Sequence, residues 1–189
     1  LGYLCHLSAD IIAHNHFVPY HCVFNFPPRL FGHAYWEAMA DTSVSDAEWH
    51  AIDGLKRSKT IHGFDRIVHR AVRFRALGLR SNRWIFNNIL LISCRHSWRG
   101  MIRGVQANAK IHPLDAAFHR RCRAASFRNM LSVFHPHRLA LLKTQDPTGR
   151  AALQGAQRLR RELFRDFGHR AKARDMAREL ARAAYGRVR

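Results

Sequence analysis

Acidic residues are scarce in this chain. Thirteen Asp and Glu stand against 32 Lys and Arg, a formal net charge of +19 over 189 residues. Such an excess favours acidic partners, whether phospholipid head groups, nucleic acid or a phosphate-bearing substrate. A proteome-wide preference for Arg would give the same balance, so charge alone selects none of them. Cysteine is thin as well. Cys5, Cys22, Cys94 and Cys122 include no C-x-x-C pair, which removes the zinc knuckle and the redox motif. Four thiols permit disulfides without demanding them, and the compartment stays open. Long apolar runs are missing too: none approaches the roughly 18–20 residues of a membrane span. The longest candidate, around Trp84 to Cys94, is broken by Asn87 and Asn88. Nor does the chain contain G-x-S-x-G, G-x-x-x-x-G-K or H-E-x-x-H.

What is present is helical patterning. Hydrophobic residues make up 47% and charged residues 24%, a globular balance, and no stretch alternates as a strand would. The expectation is an all-α, single-domain multi-helix bundle over residues 1–189. Its first helix runs from Leu1 to about Phe17 and ends at Pro19, and the connection to Leu30 carries Asn25, Pro27 and Pro28. A second helix covers about Phe31 to Met39. Ser45 and Glu48 form a capping box that starts a third. Further helices are expected over residues 61–77, over 84–105 with a kink near Gly100, and from Pro113-Leu114-Asp115 to about Phe134. The turn Asp146-Pro147-Thr148-Gly149 launches a basic amphipathic segment, residues 146–189. Leu153, Ala156, Leu159, Leu163 and Phe167 form its apolar stripe, and Arg158, Arg161 and Arg165 lie opposite.

The chemistry concentrates at the start. His6, Asp10 and His14 recur every four residues, so on a helix they line one face. His33 and Glu37 repeat that spacing on a second segment. Metal-competent side chains among Leu, Ile, Ala and aromatics are costly to bury unless a cation pairs with them, and imidazole with carboxylate suits zinc. His14 and His16 point to opposite sides of a helix, about 200° apart. If the helix continues, His14 joins His6 and Asp10. If it unravels toward Pro19, His16 swings toward His33 and Glu37. Tyr35, Trp36 and Phe17 border this region, with core packing as their plainer role.

These residues resemble the second half of the metal motif in the zinc-dependent phospholipase C family, whose metal site is similar to that of the single-strand nucleases. The likeness rests on His6-x3-Asp10, a following His, and His33-x3-Glu37. The phrases Ala13-His14-Asn15-His16-Phe17-Val18-Pro19 and Gly32-His33-Ala34-Tyr35-Trp36-Glu37 add to it. The resemblance implies an all-helical zinc enzyme that hydrolyses a phosphodiester, a phospholipid by preference, with metal-activated water. It implies that His6 and Asp10 ligate one zinc and that Asp10 bridges to another. His16 or His14 would then join His33 and Glu37 on the remaining ion.

The likeness covers about the first 40 residues. The family's other ligands are an amino-terminal Trp, a nearby His, and an Asp and a His farther on, and all precede the matched stretch. The chain opens without Met inside a helical pattern, so the expectation is either an N-terminally truncated fragment or a protein with fewer metals. His62, Asp65 and His69 share a helix face with Arg66 and Arg70, which repel a cation, and read as a polar surface. His112, His119, His135, His137 and His169 receive no role. The alternative function is a non-catalytic, zinc-stabilised basic helical protein that binds an anionic membrane or nucleic acid.

Overall fold

A computed structural model describes residues 1–24, 32–57, 100, 104, 114–168 and 171–188. The chain is all-α: among the described residues every regular element is helical and there is no strand. In order these are α1 (Gly2–Ile12), a π-helical turn (Ala13–Phe17), α2 (Val18–Phe24), α3 (Gly32–Asp41) and α4 (Asp46–Arg57). After them come α5 (Ala116–Ser132), α6 (Pro136–Leu142), α7 (Arg150–Phe167) and α8 (Ala171–Tyr185). The expected helices over residues 61–77 and 84–105, with the His62, Asp65 and His69 face, lie outside the described residues, apart from the helical Gly100 and Gly104. Asn25, Pro27 and Pro28 lie outside them too. No described helix is long and apolar enough to cross a membrane.

The chain packs as two compact units. One comprises Leu1–Glu37 with Ile111–Arg189, the other Ala38–Lys110. In the first, α1 lies along α5, while α2 contacts both α7 and α8. Ile11, Val133 and Leu142 form one buried cluster, with Leu4, Cys5 and Leu139 packed against it. A second core is aromatic. His21 is fully buried, stacked on Trp36 at 4.7 Å and edge-on to Tyr20 at 5.1 Å, with Phe17 at 4.5 Å. Phe118 completes this core from α5, its ring 4.1 Å from that of Tyr20. Phe17, Tyr35 and Trp36 are therefore core residues. In the second unit α4 begins as the capping box predicts. The Ser45 N–H donates to Glu48 Oε2 at 2.7 Å, and the Glu48 N–H donates to Ser45 Oγ at 3.2 Å.

Two helix ends carry information for the site. Pro19 does not end the first helix, as the sequence reading expected. Helical backbone continues to Phe24, and Pro19 is fully buried within it. The π turn directly upstream explains how. A proline donates no hydrogen bond and its ring needs room at the carbonyl four residues back. In the π turn the Val18 N–H reaches back to the Ala13 carbonyl, five residues away, which widens the helix just ahead of Pro19. At the start of α5 the Asp115 carboxylate accepts from the Phe118 N–H at 2.9 Å and from the Tyr20 hydroxyl at 2.9 Å. That one side chain caps α5 and ties it to α2.

Ala156 and Leu163 of α7 are buried, as are Ala177 and Ala181 of α8, while Arg158, Arg161 and Arg165 are exposed.

Candidate metal centre

Helix α1 presents His6, Asp10 and then, in the π turn, His14. His6 Nε2 lies 3.3 Å from Asp10 Oδ2, an i,i+4 pair with His6 largely in solvent. One step along, His14 Nε2 lies 3.1 Å from Glu37 Oε1 of α3. Of the two histidines, His14 is the one that meets Glu37. His16 faces elsewhere, its Nδ1 3.1 Å from the Tyr185 carbonyl at the end of α8. Two residues apart on a helical turn, only one of the two histidines can face Glu37. His33 lies one turn before Glu37 on α3, and its side chain is outside the described residues.

The surroundings of His14 are built by a segment far along the chain. His14 Nδ1 donates to the Pro147 carbonyl at 2.6 Å, across 133 positions. Beside it Asn15 Nδ2 donates to the Asp146 carbonyl at 2.7 Å and to the Ile11 carbonyl at 2.9 Å. At Gly149 there is no room for a side chain, because a Cβ would lie only 2.6 Å from His14 Cβ and closer still to the His14 carbonyl. The turn is stiffened from within. Asp146 Oδ1 accepts from the Thr148 hydroxyl at 2.7 Å and from the Thr148 N–H at 2.9 Å, and its other oxygen accepts from the Arg150 N–H at 3.1 Å. Those bonds, the Thr148 hydroxyl first, hold the Asp146 carboxyl below its ordinary range.

This geometry sets the chemistry of the imidazole. A proton held on Nδ1 by a backbone carbonyl leaves Nε2 to face Glu37, the arrangement by which proteins orient a metal-ligating histidine. The Glu37 hydrogen bond raises the His14 pKa; burial opposes the rise, and the Pro147 carbonyl and the charge of Asp10 add to it. The Nε2 side that faces Glu37 is also the side on which a divalent cation would have to bind. Imidazole and carboxylate, half-open to solvent, with Asp10 acting on the same ring, fit zinc by donor type. Convergence is partial: among the described residues no group of three His, Cys, Asp or Glu side chains comes together.

Other nucleophiles are poorly placed. Burial pushes the Cys22 thiol up to about 11 and the Cys122 thiol to about 12, so both stay protonated. His21 is buried among aromatic rings, and burial pushes it down to about 4. His119, to which the sequence reading gave no role, packs on the Phe17 ring at 5.3 Å.

The sequence reading missed the Asp146-Pro147-Thr148-Gly149 turn as part of this site and took it only as the start of a helix. Its one visible signal was the Gly149 at the close of an Asp-Pro turn. No family model matches the sequence, and neither a curated protein nor a solved structure matches it.

Proposed function

We propose that this chain is the carrier of a zinc-dependent phosphodiester hydrolase site of the phospholipase C type. The observation that supports the reading is the His14–Glu37 pair, with His14 held in the ligating tautomer by the Pro147 carbonyl. In this reading His14 and Glu37 hold one zinc together with His33, and His6 and Asp10 belong to a neighbouring ion. Zinc, when bound, supplies Lewis acidity to the phosphodiester oxygens and to the attacking water. The protein's own part is orientation. The 146–149 turn fixes the His14 ring, α3 brings Glu37 to it, and Asp10 adds negative charge on the α1 side. The substrate class is a phospholipid by the family resemblance of the first 40 residues, and the net charge of +19 suits a phosphate-bearing substrate.

The test is zinc content and turnover in one preparation. Elemental analysis after dialysis should give bound zinc, and chelator should abolish hydrolysis of a chromogenic phosphodiester, with zinc restoring it. Glu37→Gln should lose both zinc and turnover. Full activity in chelator would overturn the proposal.

A second reading rests on the partial convergence of donors. A single zinc at His14 and Glu37 would staple the π turn to α3 and stabilise the fold without catalysis. Zinc that raises the melting temperature while no phosphodiester turns over would select it.

A further inference from the structure

Four large apolar side chains stand in solvent along α5 and α6, where the protein gains nothing from exposing them. Phe127 (59% exposed) and Leu131 (47%) lie one turn apart on the outer face of α5. Phe134 (60%) follows in the turn, and Leu141 (66%) projects from α6. Leu139 and Leu142 of the same short helix turn inward to Ile11 and Val133, so α6 is held in place by one face and offers the other.

Charge singles out this surface further. Residues 116–145 contain no Asp or Glu, and they carry Arg120, Arg121, Arg123, Arg128, Arg138 and Lys143. Of these, Arg128, Arg138 and Lys143 fall among the exposed apolar residues and are themselves exposed. The Arg face of α7 is different in kind. Glu162 sits among Arg158, Arg161 and Arg165 there, Arg165 is paired with Asp166 at 2.8 Å, and no large apolar side chain of α7 is exposed. Such a mixed face is a solvated one.

We infer that the α5–α6 hairpin is the protein's docking surface for an anionic lipid bilayer, with Phe127, Leu131, Phe134 and Leu141 entering the interface and Arg128, Arg138 and Lys143 meeting the head groups. Exposed Phe and Leu flanked by cations without carboxylates match what an acidic membrane surface attracts at two depths. A protein partner of ordinary charge would leave a run this basic largely unanswered. The inference stands apart from the hydrolase reading, because it requires neither zinc nor turnover.

The experiment is co-sedimentation of the full chain, in chelator, with phosphatidylcholine vesicles and with vesicles in which about a third of the lipid is phosphatidylserine. Binding should require phosphatidylserine. The double variant Arg138→Gln/Lys143→Gln should lower partitioning about fivefold per cation. Phe134→Ser/Leu141→Ser, both at exposed positions, should lower it by about tenfold or more with the melting temperature kept. A Phe134→Trp variant should be quenched by brominated lipid beyond the wild-type chain. Equal binding by wild type and both double variants overturns the inference, and so does unquenched Phe134→Trp on bound vesicles. Self-association without lipid that Phe134→Ser/Leu141→Ser abolishes also overturns it, since the face would then join two copies of this chain.

Discussion

Replacing Gly149 by Ala tests the architecture of the candidate metal centre more sharply than replacing a ligand. Gly149 has φ +57° and ψ +27°, the left-handed region, where a non-glycine residue costs about 1–2 kcal/mol. There is also no space. The added methyl group would meet the His14 carbonyl and lie 2.6 Å from His14 Cβ; the first is backbone of a helical turn and the second is fixed directly to it. Relieving such an overlap by backbone movement costs about 1–3 kcal/mol more. The sum is about 2–5 kcal/mol, and at about 2–4 °C per kcal/mol the melting temperature should fall by about 4–20 °C.

The local consequence matters as much as the stability. The turn can yield only by moving away from the π turn, which stretches the 2.6 Å bond from His14 Nδ1 to the Pro147 carbonyl. His14 then loses the partner that sets its tautomer, and zinc affinity should fall about 10–100-fold, as it does when a ligand's outer partner is removed. The assay pairs thermal melting with zinc titration. Gly54→Ala serves as the control, since Gly54 lies in α4 with nothing within 4 Å of its would-be Cβ, and it should hold or raise stability. A Gly149→Ala protein that melts and binds zinc like wild type would refute the reasoning.

His21 makes stability depend on pH. Its folded pKa is about 4 against an ordinary 6.5, so the unfolded chain binds the extra proton. Its contribution is therefore full above pH 6.5 and is lost as pH falls toward 4, about 3 kcal/mol in all, with His119 shifted in the same direction. Urea midpoints at pH 7 and pH 5 should differ more for wild type than for His21→Phe. Asp115→Ala removes the cap on Phe118 and the acceptor for Tyr20, and should cost about 2–3 kcal/mol in denaturant unfolding, with Asp115→Asn costing under about 1. If the candidate centre binds zinc as proposed, Asp10→Asn and Glu37→Gln should lower bound zinc by elemental analysis, while His16→Ala should leave it unchanged, because His16 faces Tyr185.

How much of this could be read from the residues depends on how far apart the interacting partners lie. The all-α character rests on short-range periodicity, and the sequence carried it openly. So did the Ser45–Glu48 capping box and the Asp115 helix start, each settled within three residues. Pro19 was misjudged because the rule that proline ends a helix assumes the regular four-residue ladder. The π turn over Ala13–Phe17 breaks that ladder and carries the helix past it. For the site, the spacing of His6, Asp10 and His14 and that of His33 and Glu37 were visible, but which of His14 and His16 faces Glu37 was not. It depends on the turn of the helix just where it leaves α geometry. The partner of His14 Nδ1 was not visible at all. Pro147 is 133 positions away and contributes a backbone carbonyl, which any residue could supply. Gly149 is the exception in that turn. A Cβ there would overlap the His14 carbonyl, and φ is positive, so here the identity of the residue does matter. A glycine closing an Asp-Pro turn reads locally as a helix start. Only when α7 packs on the π turn does the same glycine become the contact that admits the carbonyl to the imidazole.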